Sequence, residues 1–581
     1  MIVMLTMVIM VGMLFSQSVL KHAYYIAEAR SQQYASMEVA AQRGIIYAQD
    51  AEKAEPVILA ESIQRFAVSA TPRYVKHPDK VIPILAERFG ITEDELALKL
   101  TYEGGTDWPD DKGNYTSPFA HGLTKEEVEA LAAQIDPGTP VSFDAAAGDI
   151  IYFSEGIFFL MEYQRVYPEN QLAAHVLGYV NYEGDGQYGF EEYHASDLEG
   201  TSGNVAVERD SRGRLLNEVG SVKGRDGYSY VLTIDSNIQY EAEKVLADAV
   251  SKYQADSGTV VIMQAKTGGV LAMASVPTFN PNEFAKVSKE SVGVFRNPVV
   301  SSRYEFGSVY KPFTVSMALD NGLATPDERK DYPESVKIGE YTIHNALLKG
   351  YPNLSISEAL ENSVNTAMVD LSNRIGSERM HGYLEKLGFG EKTGIELSGE
   401  TAGYLLPLEK MKDIQRATIS FGQGIDTTPL QMTAAFTTIA NDGVLVQPRI
   451  VDQIIHPDGT RESVEPKLLG QVFKPETAAQ MRDMMTAVIV AGHGRQAGVR
   501  GYKVAGKTGT AQIPNPAGGY YEDRFLHSFV SIAPSDDPTF IIFISLYNVR
   551  TSRFAESSAA PAAGELMKYL LHYYQIPPTN R

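Results

Sequence analysis

Three short motifs in the C-terminal half carry residue types that could do chemistry together. They read Ser308-Val309-Tyr310-Lys311, Ser363-Val364-Asn365 and Lys507-Thr508-Gly509-Thr510. In that order they supply a nucleophile, a base, a proton relay and an electrophilic strand, the parts needed for acyl transfer through a serine ester. No motif suffices alone, because this chain repeats each pattern elsewhere. Ser18-Val19-Leu20-Lys21 fits S-x-x-K, Ser202-Gly203-Asn204 fits S-x-N, and Lys266-Thr267-Gly268 and Lys392-Thr393-Gly394 fit K-T-G. Order, spacing and flanking residues must separate the sites from the decoys.

Gly307 precedes Ser308 and Pro312 follows Lys311. Proline is tolerated in the first helical turn and not in the interior, so Ser308 is expected near a helix start. Free N–H groups and the positive dipole end at such a start can stabilise an oxyanion. Lys311, three residues on, shares the helical face of Ser308, and a lysine buried there can lose its proton and act as base. Ser363 offers a hydroxyl that can pass a proton, and Asn365 offers a donor and an acceptor to a substrate amide. Lys507-Thr508-Gly509-Thr510 lies between YKVAG and AQI and reads as a strand. Lys507 and Gly509 then share one face while Thr508 and Thr510 share the other. Gly509 would let another backbone approach, and an extended substrate could add to this edge as a further strand. The blander alternatives are a serine cap beside a solvated lysine, a polar turn and a lysine-threonine turn. Each would win if its motif stood alone.

The elements that must position these residues begin near residue 228. Tyr228–Asp235 reads as a strand and Ile238–Val250 as an amphipathic helix. Residues 259–264 and 270–275 read as a hairpin about a turn at 266–269. Residues 529–534 and 540–547 (FIIFISLY) look like buried strands, and 562–574 like a final helix. Strands at both ends with helices between predict one α/β domain, roughly 228–576, whose sheet joins the two ends of the segment.

Upstream, residues 21–40 look helical, 45–47 and 56–70 strand-like, and 80–140 acidic and helix-rich. Thr124 with Glu127 is a capping signal for the run KEEVEALAAQI. The loop-like piece GGTDWPDDKGNY holds Trp108, the one tryptophan, and residues 150–220 read as strands and glycine-rich turns. The first 20 residues are uncharged and almost wholly apolar, which predicts an uncleaved membrane anchor. A signal peptide cleaved near Ala27-Glu28-Ala29 is the rival, without a basic n-region. Lys21 and Arg30 follow the segment, which by the positive-inside rule alone would leave the bulk cytoplasmic; an extension bearing Lys or Arg before it would reverse this.

The chain has 581 residues, enough for two to four domains, and a net charge of −21. That charge argues against nucleic acid and against a polybasic grip on lipid. The absence of cysteine fits export without dictating it.

With these residues in place, the triplet resembles that of the penicillin-recognising serine acyl-transferases. The chain resembles class B penicillin-binding proteins through RGII (43–46), HVLGYV (175–180), GFEEYHASDLEG (189–200), RDSRG (209–213) and TIDSNIQ (233–239). It does so further through VLAMASVPTFNPNEF (270–284), FGQGIDTTPLQM (421–432), ANDGVLVQP (440–448) and VAGKTGTAQ (504–512). The resemblance implies a multidomain α/β protein: an anchor (1–20), an α+β pedestal or dimerisation domain (21–225) with a head inserted at about 75–150, and a transpeptidase domain (226–576). The last would be serine β-lactamase-like, an antiparallel sheet flanked by helices.

It also implies roles. Ser308 attacks the penultimate D-alanine carbonyl of a stem peptide, Lys311 is its base, and Ser363 with Lys507 relays the proton. Asn365 holds the donor amide, Thr508 and Thr510 face the terminal carboxylate along Gly509, and the N–H groups of Ser308 and Thr510 form the oxyanion hole. No metal or organic cofactor is implied. The implied partners are stem peptides, β-lactams, a membrane-embedded glycan polymerase and other wall-synthesis proteins. DGQYGFEEY and YEFGSVYKP look more like division-type members than elongation ones. A penicillin-binding scaffold without turnover, and a carboxypeptidase or β-lactamase-like hydrolase, stay open as alternatives. Two departures stand out: Phe306 replaces the family's proline, and the Arg43 motif continues as Tyr-Ala-Gln-Asp.

Overall fold

The run Phe540–Tyr547 has almost no polar residue to turn toward water, and it becomes the middle of a sheet covered on both faces. The computed structural model describes residues 2–578 apart from 23, 25–33, 40, 54, 71, 73–74, 101–115, 117, 142, 144–149, 210–214 and 223. Arg30, the Ala27–Ala29 segment and the loop with Trp108 thus lie outside the described residues. The chain divides into two compact units, one of residues 45–60, 167–195 and 229–581, the other of 1–44, 61–166 and 196–228.

The larger unit holds all three motifs. Its main strands are β1 (Ile46–Gln49), β2 (Ser229–Asp235), β3 (Ser257–Gln264), β4 (Val270–Val276), β5 (Val451–Ile455), β6 (Ala505–Pro514), β7 (Tyr520–Ala533) and β8 (Phe540–Tyr547). Its main helices are α1 (Ser236–Tyr253), α2 (Lys311–Asp320), α3 (Ile356–Glu361), α4 (Asn365–Ile375), α5 (Pro429–Ala440), α6 (Pro475–Val490) and α7 (Ala559–Tyr573). The five-stranded sheet runs β4-β3-β8-β7-β6, antiparallel throughout. Strands from the start of the segment therefore pair with strands from its end, as the sequence predicts. Phe540, Ile542, Ile544 and Leu546 alternate onto the face packed by α1 and α7. Phe543 takes the opposite face and meets the Phe306 ring edge-on, centroids 4.8 Å apart. Each such buried side chain stabilises the fold by about 1.5–3 kcal/mol. Helix α5, buried at every position, packs against β8, β3 and α6.

One expectation is corrected. The strand at 229–235 does not join this sheet; β2 pairs with β1 in parallel and with β5 antiparallel. Its final Asp235 caps α1 by accepting from the backbones of Asn237 and Ile238, so the strand ends where its side chain is needed.

In the other unit, Glu61–Ala70 pairs antiparallel with Ile157–Val166. Helices Pro78–Phe89, Glu93–Leu100 and Lys125–Ile135 close an apolar core around them. The capping box at Thr124 and Glu127 is present. Tyr34–Val39, expected in a helix, is instead a strand paired with Gly203–Arg209, which also pairs with Leu215–Val222. Ladder bonds to a distant strand outweigh the weak local helix preference of that segment. Among the described residues no helix is long and apolar enough to cross a membrane: Ile2–Phe15 is α-helical and Ser16–Leu20 continues as a π turn.

Candidate active site

Ser308 sits in a single 3-10 turn, Gly307–Tyr310, that feeds α2. Pro312 occupies the first turn of α2, where its missing N–H costs nothing. The turn is a tight fit. Gly307 has φ +59°, and a Cβ there would come within 3.3 Å of the Thr510 carbonyl oxygen and the Ala511 Cβ. Phe306 is fully buried against Phe543, so the residue that departs from the family pattern anchors the turn on the sheet.

Lys311 is completely buried. Its Nζ donates to the Ser363 carbonyl (2.6 Å), the Asn365 Oδ1 (2.7 Å) and the Ser363 Oγ (3.1 Å). Ser363 falls in the break between α3 and α4 with φ +52°, a left-handed conformation uncommon for serine. That break aims both its carbonyl and its hydroxyl at the lysine. Asn365 is fixed from its other end, Nδ2 donating to the His344 carbonyl at 2.9 Å.

Lys507 lies on β6, which among the described residues pairs with β7 alone and forms the sheet edge. It too is completely buried. Its Nζ donates to the Ser363 Oγ (3.2 Å) and the Thr508 carbonyl (3.0 Å). The Ser363 hydroxyl is thus shared by two lysines. Among the described residues no carboxylate pairs with either one. Burial pushes the Lys311 amine well below its ordinary value, and the neighbouring Lys507 charge adds to this. Burial alone brings Lys507 down to about 7. Two ammonium groups around one hydroxyl in a dry site repel, which favours loss of a proton from one of them.

Gly509 meets the expectation of a close approach. A Cβ there would lie 2.4 Å from the Phe306 carbonyl oxygen and 2.6 Å from a Val309 methyl, so only glycine lets the strand lie against the turn of Ser308. Ser308, Ser363, Asn365, Thr508 and Thr510 line one cleft of about 1030 Å³, with the two lysines buried beneath it. Thr510 is held by the Ala555 N–H, which donates to its hydroxyl at 3.1 Å. Ser18, Ser202, Lys266 and Lys392 do not line the cleft.

The sequence reading missed several cleft residues. The hairpin of Ser335–Ile338 and Tyr341–His344 contributes Tyr341 and His344, and a later segment contributes Arg553 and Glu556. His493 is bonded there to Glu556 at 2.7 Å. No local pattern marks these positions. Gly422 was within reach: at φ +82°, its Cβ would meet the Gly307 carbonyl oxygen at 2.1 Å. A glycine pair in the run FGQG was a signal of that approach.

A serine at a helix start beside an edge strand, with two buried lysines behind it, is the arrangement expected of a serine acyl-transferase of the penicillin-recognising kind. Residues 258–568 match the penicillin-binding protein transpeptidase domain, and residues 38–232 the penicillin-binding protein dimerisation domain. PbpB of Mycolicibacterium smegmatis is 37% identical over 427 residues, which cover 71% of this chain and 65% of that protein. The match therefore spans less than two thirds of that relative. Stage V sporulation protein D of Bacillus subtilis is 31% identical over 533 residues, covering 90% and 77%. The crystal structure of penicillin-binding protein 3 from Mycobacterium tuberculosis superposes with a TM-score of 0.65 at 34% identity, covering 72% of this chain and 93% of that one. Crystal structures of the same protein in complex with aztreonam and with ampicillin also match at 34% identity. This chain belongs to the class B penicillin-binding proteins.

Proposed function

We propose that the protein is a peptidoglycan D,D-transpeptidase that cross-links stem peptides through an ester on Ser308. The observation that carries this reading is the pair of buried lysines sharing the Ser363 hydroxyl beneath the cleft that Ser308 lines. Neutral Lys311 takes the Ser308 proton as Oγ attacks the penultimate D-alanine carbonyl. The backbone N–H groups of Ser308 and Thr510 hold the oxyanion. The C–N bond breaks, and the departing D-alanine amine takes a proton relayed through Ser363 from the lysine pair. An amine of a neighbouring stem attacks the ester, gives its proton back through the same relay, and Ser308 Oγ regains its own.

Asn365 holds the donor amide, and Thr508, Gly509 and Thr510 present the strand edge and hydroxyls to the peptide and its carboxylate. β-Lactams would acylate Ser308 and stay there, a reading supported by the aztreonam and ampicillin complexes of the M. tuberculosis relative. The chemistry needs no metal or organic cofactor. The finer assignments are part of the same proposal. Residues 1–20 anchor the chain in the cell membrane by a single pass, and the catalytic domain (226–576) faces outward. Residues 21–225, with a head at about 75–150, engage a membrane-embedded glycan polymerase and other wall-synthesis proteins, in a septal role.

Labelling with a fluorescent penicillin tests the site. Wild type should label and Ser308→Ala should not; labelling that survives Ser308→Ala removes the assignment. Aminolysis of a D-alanyl donor by an amine acceptor separates a transpeptidase from a scaffold or a hydrolase.

A further inference from the structure

Glu305, three residues before the nucleophile, has no part in the chemistry above. Its Oε1 accepts from the Gly424 N–H at 2.7 Å, and its Oε2 accepts from the Tyr520 hydroxyl at 2.8 Å. One carboxylate therefore ties three segments of chain: the turn of Ser308, the loop through Gly422 and Gly424, and the start of β7.

The need for such a tie follows from the strand register. β7 pairs with β8 only from Leu526 to Ala533. Beyond Leu526, the stretch Tyr520–Phe525 has left β8 and pairs with β6, Gln512 opposite Phe525 and Pro514 opposite Tyr520, with the Val549 N–H donating to the Phe525 carbonyl at 3.3 Å where it begins. This end of the hairpin is a two-stranded ribbon projecting past the sheet, and it supplies Gln512, Glu522 and Phe525 to the cleft wall. Isolated ribbons of two strands are marginally stable and twist freely. At its base the hairpin is fixed to the nucleophile turn by the close approach of Gly509 to Phe306. At its tip, the Tyr520 hydroxyl on Glu305 is the bond to that turn. The loop on the other side is set by backbone, Gly307 N–H donating to the Gly422 carbonyl at 3.1 Å.

We propose that Glu305 is a positioning residue that latches the β6–β7 ribbon to the nucleophile turn and so keeps the edge strand from Thr510, which lies opposite His527 where the ribbon leaves the sheet, out to Gln512 close against Ser308. The inference rests on the transpeptidase reading, in which the N–H groups of Ser308 and Thr510 act together on the oxyanion. Donors of that kind act in the transition state, so a loosened latch slows acylation and leaves initial binding nearly unchanged.

The experiment is stopped-flow acylation by a fluorescent penicillin, resolving the pre-acylation dissociation constant from the acylation rate constant. Glu305→Ala should lower the rate constant roughly 10- to 100-fold, the scale of a small misplacement, with little change in the dissociation constant. Glu305→Gln should recover most of the rate, since its amide oxygen accepts from Gly424 and its NH2 donates to the Tyr520 oxygen. Tyr520→Phe should show the same split at smaller size, and the Glu305→Ala/Tyr520→Phe double variant should be no slower than Glu305→Ala alone. Wild-type rates in both Glu305→Gln and Tyr520→Phe with no loss in Glu305→Ala, losses that multiply in the double variant, or losses confined to binding would overturn the latch. Should Glu305→Ala not fold, Tyr520→Phe decides, because it removes one hydroxyl from a partly exposed ring. A wild type that does not label, or a Ser308→Ala that does, would instead fault the transpeptidase reading.

Discussion

Lys266-Thr267-Gly268 and Lys507-Thr508-Gly509 are the same three residues in two settings. Lys266 is in a hairpin turn, its side chain 59% exposed and paired with Asp537 at 2.6 Å. Thr267 donates back to Gln264, and Gly268 adopts φ +70° to turn the chain. Lys507 lies on an extended edge strand, is wholly buried, and faces another lysine through a serine. In the turn the lysine is a solvated charge, and the glycine takes a left-handed φ with the Gln447 carbonyl oxygen against it. On the strand the lysine is a partly discharged amine and the glycine a gap for a neighbouring backbone. The tripeptide sets neither chemistry; the surroundings do.

The sharpest break in the comparison is removal of the lysines. Lys507→Ala should cut the rate of Ser308 acylation by about 10²–10⁴, the usual weight of a positioned proton carrier. Lys266→Ala should leave that rate unchanged and shift stability by less than about 1 kcal/mol, as for exposed ion pairs. Equal effects on acylation would erase the distinction. Adding a methyl group separates the two glycines differently. Gly509→Ala should slow acylation by roughly 10- to 100-fold, because its Cβ pushes on the Phe306 carbonyl and displaces the nucleophile turn. Gly268→Ala carries a left-handed φ and meets the Gln447 carbonyl oxygen at 2.1 Å. It should lower thermal stability, by at least about 1–3 kcal/mol, and leave the acylation rate of folded protein as it is.

A gentler probe is pH. Lys507 titrates at about 7 when folded and at its ordinary 10.5 when unfolded. Between those values the unfolded chain binds more protons, so stability should rise with pH across that window and be flat with respect to this group below it. Urea midpoints of wild type and Lys507→Met, compared from pH 6 to 10, read this out. Wild type should gain on the variant as pH rises through about 7. A constant difference would mean that the buried amine keeps its proton.

Much of this site could be read before any coordinates. Pro312 and the K-T-G-T strand are punctuated by residues whose backbone limits are local. The 259–275 hairpin, the 540–547 strand and the capping box at Thr124 were legible for the same reason: alternation, turn residues and caps act over a few positions. The rest depends on partners far along the chain. Tyr34–Val39 becomes a strand only because Gly203–Arg209 lies beside it. The strand at 229–235 matches a generic buried strand, and nothing in it names β1 rather than β3 as neighbour. Arg553, His493 and Glu305 sit in segments with no periodicity, and their relevance arises from a fold that closes hundreds of residues into one cleft.

The left-handed Ser363 has an evolutionary corollary. Backbone strain at a non-glycine residue costs on the order of 1 kcal/mol, and glycine at the same place would relieve it. Ser363→Gly should therefore melt slightly higher than Ser363→Ala while lacking the hydroxyl that both lysines share. Selection for robustness alone would erode this position, so a lineage drifting toward thermal hardiness without demand for turnover would be expected to lose its serine early. On the transpeptidase reading, a serine kept at this strained position is what a working relay would demand.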